Sequence, residues 1–309
     1  MPATRRFSQD QIDAAAALLR AGGLVAFPTE TVYGLGADAT DDLAVARIYQ
    51  AKGRPSFNPL IAHVPDVAKA REIAVFSPEA EALAAAFWPG ALTLVLPLRT
   101  DAQISKLVTA GLDTVALRVP QHPLAQQLLS AVGRPVAAPS ANPSGRISPT
   151  APDHVLAGLD GAIDGVVLGG ACPVGLESTI VGLAPAPTLL RPGGVATGDI
   201  EEVIGIGLST PGAEITAPGQ LASHYAPGAP LRMNATEPRA GEVYLGFGPG
   251  AATVNLSPSG DLVEAAANLF GHLHKLDQMG APIAVAPVPE TGLGQAINDR
   301  LRRAAAPRT

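Results

Sequence analysis

Cysteine is nearly absent: Cys172 is the only one in 309 residues. That excludes an intrachain disulfide and a zinc site built on several cysteines, and a reducing compartment suits the composition. Aromatic residues are scarce, at 4%, so alanine, valine and leucine have to build the core, and a hydrophobic share of 47% supplies enough of them. Positive charge is in deficit, with 21 lysines and arginines against 27 aspartates and glutamates and a net charge of −6. This balance argues against a surface coated for nucleic acid but leaves room for a local basic pocket. No run approaches the roughly 20 apolar residues of a membrane span. Residues 1–10 lack the apolar core of a signal peptide. The expectation is a cytoplasmic protein with no membrane partner.

Catalytic signatures are also missing. No two histidines have metal-ligand spacing; His272 and His274 lie two apart on a predicted helix and point different ways. Cys172 has no activating neighbour in sequence and reads as an inert buried thiol. No serine or cysteine has the partners that covalent catalysis needs. No dedicated metal site is expected.

Glycine and proline are plentiful, at 33 and 30 residues, and they cut the chain into short alternating elements. Ser8 and Gln11 form a capping box for a helix that ends at Gly22-Gly23. Residues 24–27 read as a short buried strand. Further strand patterns fall at 60–64, 92–96, 114–119, 136–138, 166–168, 178–183 and 188–191. Helices open at Thr40-Asp41-Asp42, at Ser77-Pro78-Glu79 and at Pro123. The helix from Ser77 stops at Trp88-Pro89-Gly90, where Trp88 reads as a core plug. Residues 1–204 therefore predict an α/β unit on a twisted mixed sheet. Residues 205–230 differ: 9 of the 26 are glycine or proline and no periodicity shows, which is linker composition. Residues 231–309 carry strands at 243–245 and 282–286 and helices at 261–276 and 294–306, predicting a small Rossmann-like α/β domain. It has no Gly-x-Gly-x-x-Gly, so that likeness assigns no nucleotide to it.

Charge is sparse but placed. The loop Lys52-Gly53-Arg54-Pro55, followed by Asn58-Pro59, cannot continue a helix, because its prolines lack N–H donors and fix φ. It holds two cations beside a strand, as a grip on phosphate or carboxylate requires; a solvated basic loop is the plainer reading. The string Pro28-Thr29-Glu30-Thr31-Val32-Tyr33-Gly34-Leu35-Gly36 offers hydroxyls and glycines after a strand, either as a polar ligand site or as an ordinary turn. Strand alternation sets Thr114, Ala116 and Arg118 on one face. Arg118, if buried, needs an anion, either a structural carboxylate or a ligand. Residues 138–150 gather Ser140, Asn142, Ser144, Arg146 and Ser148 ahead of a helix start, as an anion site or a capped surface loop. Glu177-Ser178-Thr179 and Arg191 follow. Convergence of Lys52, Arg54, Arg118, Arg146 and Arg191 on one pocket is what an ATP-sized polyanion requires.

These strings, with Trp88-Pro89-Gly90-Ala91-Leu92-Thr93 and Pro139-Ser140-Ala141-Asn142, resemble the YrdC-like family. Ser223-His224-Tyr225-Ala226-Pro227, Gly292-Leu293-Gly294-Gln295-Ala296-Ile297 and Asp299-Arg300-Leu301 resemble its long two-domain members, the threonylcarbamoyl-AMP synthases of tRNA modification. The resemblance covers nearly the whole chain. It implies a nucleotidyltransferase that turns L-threonine, bicarbonate and ATP into threonylcarbamoyl-AMP and pyrophosphate, with separate tRNA threonylcarbamoyltransferase machinery taking the product. It implies threonine held by Thr31, His63, Arg118 and Ser178, with Arg118 on the carboxylate. ATP would be held by Lys52, Arg54, Asn58, Thr114, Ser140, Ser148, Arg191 and Tyr225, with Lys52, Arg54 and Arg118 serving catalysis. Magnesium would ride mainly on the ATP phosphates. Residues 218–227 would fold back as a lid, against the plainer reading that Tyr225 only anchors the second domain. Gln220 departs from the methionine many members carry. Two rival readings stand: a double-stranded RNA binder, which the acidic balance reduces to a weak RNA contact, and a carbamoyltransferase or sugar-phosphate synthase on a similar fold, against which the second domain weighs.

Overall fold

The computed structural model describes residues 3–55, 57–210, 212 and 224–307. Among these, ten strands form one sheet: β1 (Arg5–Phe7), β2 (Val25–Phe27), β3 (Gly34–Asp38), β4 (Ile61–His63), β5 (Leu92–Pro97), β6 (Thr114–Arg118), β7 (Val136–Ala137), β8 (Gly165–Val167), β9 (Thr179–Gly182) and β10 (Thr188–Arg191). Their spatial order is β1-β8-β2-β3-β7-β4-β6-β5-β9-β10. The sheet is mixed, since β4 runs parallel to β6 and antiparallel to β7. Helices α1 (Ile12–Arg20), α2 (Asp42–Lys52), α3 (Val67–Arg71), α4 (Pro78–Phe87), α5 (Lys106–Thr109), α6 (Pro123–Val132), α7 (Pro152–Leu159) and α8 (Thr197–Ile204) accompany it. A second sheet holds β11 (Leu231–Arg232), β12 (Val243–Gly246), β13 (Val254–Asn255) and β14 (Ile283–Val285), all parallel, with α9 (Leu262–Asp277) and α10 (Gly294–Ala305).

Local chemistry sets the helix ends. The Ser8/Gln11 capping box forms, in a 3-10 turn that leads into α1. Asp41 caps α2 by accepting from the N–H groups of Leu43 and Ala44, and Gly53 closes it at φ 59°. Ser77 and Pro78 open α4. Trp88, at its end, is buried and donates its indole N–H to Leu92 O at 2.7 Å.

The pleat of β6 separates core from site. Val115 and Leu117 enter the main core with Leu94 and Leu96. Ala116 turns to the other face, where it packs with Ile61, Val95 and Ile180 as a small apolar floor. Thr114 and Arg118 share that face by alternation.

Within the first sheet, two strands depart from the sequence reading. Of the two readings of 28–36, a polar ligand site or an ordinary turn, the turn does not hold for its end, since Gly34–Asp38 is strand, buried at every residue. Glycine is a poor strand former, but a Cβ on Gly36 would come within 3.0 Å of the Phe27 and Val136 side chains. The neighbours approach too closely for a larger residue, and the pairing with β2 and β7 outweighs propensity. The second is β1, three residues carrying two arginines, whose parallel partner β8 is remote in sequence. No local pattern marks such an edge strand.

The two sheets share apolar contacts. The cluster that holds Leu245, Leu269, Phe270, Leu273 and Ile283 also takes in Val32, Ile147 and Leu176 of the first unit, together with Tyr225. The segment expected as a linker is pinned at its described end: His224 N–H donates to Arg303 O at 3.3 Å and Ala226 N–H to Gly145 O at 2.8 Å. Residues 218–223 of the expected lid lie outside the described residues. No helix among the described residues is long and apolar enough to cross a membrane.

A pair of histidines bridges the units. His154 of α7 and His274 of α9 stack with ring centroids 3.9 Å apart, and His274 Nε2 donates to Ser148 O at 3.1 Å. Burial, and then the neighbouring His154, lowers His274 to about 4. The unfolded chain titrates that ring near pH 6.5, so below about 6.5 it binds protons that the native state refuses. Stability is therefore complete above about pH 6.5 and declines as pH falls towards about 4. His274→Gln should flatten part of this decline when urea unfolding is compared near neutrality and near pH 5; an undiminished decline in the variant would contradict the assignment.

Candidate active site

A pocket lies over the floor formed by β4, β6 and β9, with Ile61 at its base. The parallel register of β4 and β6 puts His63 opposite Arg118 at one end of that face. Arg118 is buried, and its guanidinium donates to Glu30 Oε1 at 2.6 Å, Thr31 Oγ1 at 2.8 Å and Gly90 O at 3.1 Å. The anion that a buried arginine needs is thus present as a structural carboxylate, while the side chain still lines the pocket. Burial alone would raise Glu30, but Arg118 outweighs it and holds the carboxyl below its ordinary value. Burial and then Arg118 push His63 down to about 3, so its ring is neutral near pH 7. His63 Nδ1 is buried and has no hydrogen-bond partner among the described residues. Thr31, Thr29 and Ser178 add hydroxyls to the same wall.

The other side is cationic. Arg191 closes the edge strand β10, and its Nε and Nη2 donate to Ser178 O at 3.2 and 2.8 Å. Gly193 lets this turn lie against the Glu177-Ser178 backbone, where a Cβ would come 2.3 Å from Glu177 O. Arg54 donates from Nε to Asn58 O at 3.3 Å and from Nη2 to Pro59 O at 2.9 Å. Burial lowers Arg54 to about 10, with Tyr49 opposing and Arg191 adding to the shift, so the group stays charged near pH 7. The side-chain amide of Asn58, beside it, is buried, and neither its oxygen nor its nitrogen has a partner among the described residues. Ser140 also lines the pocket.

Four expected ATP contacts lie outside the pocket lining: Lys52, Asn58, Thr114 and Ser148. Lys52 is buried, and its ammonium donates to the carbonyls of Ser140 and Asn142. It belongs to the last turn of α2, ahead of the left-handed Gly53, so the chain reverses and Arg54 enters the pocket in its place. Lys52 ties α2 to the 139–142 loop, and burial, with Arg54 nearby, lowers its ammonium well below the ordinary value. Ser148 is buried outside the pocket lining and donates to Glu177 Oε1. Thr114 stands at the far end of β6 from Arg118, outside the lining. Arg146 is absent from the lining too; its backbone bridges Ala226.

His224 and Tyr225 close the pocket from above, their rings 4.2 Å apart. Tyr225 is 1% exposed, with φ 62°, and its ring also meets Phe270 of α9 at 5.6 Å. The two readings of this tyrosine therefore coexist, since it anchors the second unit and roofs the site. The space beneath is about 50 Å³, room for a few waters. Sequence reasoning missed the contribution of Glu177, which lies on the pocket wall, and of Arg300, which reaches it from α10 through Nε to Oε2 at 2.9 Å. A contact spanning 123 residues has no local sequence signal.

Residues 17–193 match the family model described as telomere recombination, of Sua5, YciO and YrdC proteins, and residues 195–306 match the one described as the threonylcarbamoyl-AMP synthase C-terminal domain. The chain is similar to threonylcarbamoyl-AMP synthase of Bacillus subtilis, at 45% identity over 96% of this chain and 93% of that one. It is 38% identical to the synthase of Schizosaccharomyces pombe, over 91% of this chain and 84% of that one. It also matches the crystal structure of Pyrococcus abyssi Sua5 complexed with L-threonine, with a TM-score of 0.89, 40% identity, and 98% and 97% of the two chains covered. The chain therefore belongs to the Sua5/YciO/YrdC family, in the two-domain form that carries the threonylcarbamoyl-AMP synthase C-terminal domain.

Proposed function

We infer that this chain makes threonylcarbamoyl-AMP and pyrophosphate from L-threonine, bicarbonate and ATP. One observation carries the reading: a single pocket holds a neutral imidazole, hydroxyls and Arg118 on one side and Arg54 and Arg191 on the other, in a chain that matches these synthases almost end to end. Threonine sits with its carboxylate towards Arg118, its hydroxyl among Thr31 and Ser178, and a donor on the unpartnered Nδ1 of His63. Its amine bonds to the carbon of bicarbonate with loss of water. The resulting carbamate oxygen attacks the α-phosphorus of ATP, and the bond to pyrophosphate breaks. Threonine supplies its own nucleophile, so the protein's work is alignment, charge neutralisation and exclusion of water. Arg54 and Arg191 face the phosphates, with Asn58 supporting Arg54 through its carbonyl.

Magnesium would be held by the ATP phosphates and would neutralise the departing pyrophosphate; the pocket carboxylates are taken, Glu30 by Arg118 and Glu177 by Arg300 and Ser148. A space of about 50 Å³ cannot admit a nucleotide, so His224 and Tyr225 move for ATP to enter and then cover it. Cover protects the product, a mixed anhydride that water would cleave. The product passes to a separate transferase that modifies an adenosine of tRNA, and any contact of this chain with RNA is weak.

Pyrophosphate release should require L-threonine and bicarbonate together. Serine or glycine supporting the same rate would contradict the substrate assignment. Arg54→Ala should weaken ATP binding by about 1.5–3 kcal/mol, roughly ten- to a hundredfold, and leave threonine binding nearly unchanged. Its contacts are to backbone carbonyls, so the fold should survive the substitution. Calorimetric titration with each ligand reads this, and equal losses for both would indicate a damaged pocket.

A further inference from the structure

Arg300 belongs to α10 of the second unit, yet it is wholly buried against the wall of the pocket. Its Nε donates to Glu177 Oε2 at 2.9 Å, and its Nη1 to Pro192 O and Asp299 Oδ2, both at 2.8 Å. Its guanidinium carbon lies 5.2 Å from the centre of the Tyr225 ring. Glu177 lines the pocket and accepts from Ser148 through its other oxygen. The next residue, Ser178, receives Arg191 on its carbonyl. One guanidinium therefore touches the carboxylate, the turn after β10 and the roof of the site.

A carboxylate in a pocket for a polyanion is a liability unless it is neutralised. The charged and titratable groups around Glu177 are Arg300 and Asp299 from α10, Arg191 from β10, and His224 and Tyr225 from the roof. Burial would raise Glu177, and Arg300 first, then Arg191, hold it ionised. Without Arg300 the remaining cation, Arg191, would be drawn towards Glu177 and away from phosphate. An uncompensated negative charge also acts unequally on the two substrates, because ATP is a polyanion and threonine a net-neutral zwitterion.

We propose that Arg300 is a positioning residue supplied by the second unit, which cancels the charge of Glu177 and steadies Tyr225 so that the Ser178–Arg191 wall accepts ATP. The inference rests on the synthase reading and gives the second unit a part in that reaction. Its role is electrostatic, so removing both partners should restore what removing one destroys.

The test uses the full chain as parent, Arg300→Met, Glu177→Gln and the double variant, with pyrophosphate release measured against ATP and threonine separately. Arg300→Met should raise the KM for ATP about tenfold or more while the KM for threonine stays within about twofold. The double variant should return the KM for ATP to within about threefold of the parent. A double variant no better than Arg300→Met, or KM values that rise together for both substrates, would overturn the proposal. Should Arg300→Met fail to fold, the double variant decides, since it removes the Arg300–Glu177 pair together: a folded double variant with a KM for ATP raised about tenfold overturns the proposal, and a near-parental value supports it. A parent that releases no pyrophosphate would sink the synthase reading instead, and calorimetric ATP affinities of the same variants would then test the role of Arg300 alone.

Discussion

Burying several cations in and around one pocket is the constraint on which the rest of this structure depends. Lys52, Arg118 and Arg191 are buried, Arg54 is half-buried beside them, and Arg300 is buried behind the wall. A charge removed from water is tolerated only when it is paired or hydrogen-bonded. Two of the five have pocket carboxylates: Arg118 has Glu30 and Arg300 has Glu177. Lys52, Arg54 and Arg191 donate to backbone carbonyls, whose partial charges offset only part of the cost. The shifts follow from this imbalance, for burial lowers all three below their ordinary values. The residual positive charge is what the proposed binding of a triphosphate would complete. It also explains how an acidic chain recognises an anion: the basic character is concentrated in one concave site.

The fold serves that arrangement. A mixed sheet puts parallel β4 and β6 side by side, so His63 and Arg118 share one end of a face whose opposite side is apolar core. The second unit covers the site from another direction. Its core runs on into Ile147, into Val32, which lines the pocket, and into Leu176, which precedes Glu177 of the pocket wall, so the packing that holds the units together also sets the position of the wall. His224 and Tyr225 lie where the chain crosses between the units; both line the pocket, and the Tyr225 ring also packs on Phe270.

Much of this is legible in the chain, and the physical reasons are particular. Short apolar runs between glycines and prolines locate β2, β4, β5 and β6, because a buried strand must be apolar throughout. An arginine inside such a run, Arg118, announces a buried charge through its apolar neighbours alone. The order of the motifs marks the family. What escapes the sequence is long-range. β3 is glycine-rich and is a strand because its pairing with β2 and β7 outweighs propensity, and β1 takes its identity from a remote partner. The direction of Lys52 depends on where the helix ends relative to Gly53, a difference of one residue. Arg300 looks like an ordinary helix residue until the second unit docks.

The most direct measurement of the central claim is the melting temperature of the full chain in saturating adenosine, AMP, ADP and ATP at low and at high salt. A ligand that binds only the folded state stabilises it in proportion to its affinity. If the pocket holds uncompensated positive charge for a polyphosphate, stabilisation should rise in the order adenosine, AMP, ADP, ATP, and the spread should narrow as salt is added. Equal stabilisation by adenosine and ATP, or a spread that salt leaves untouched, would contradict the account.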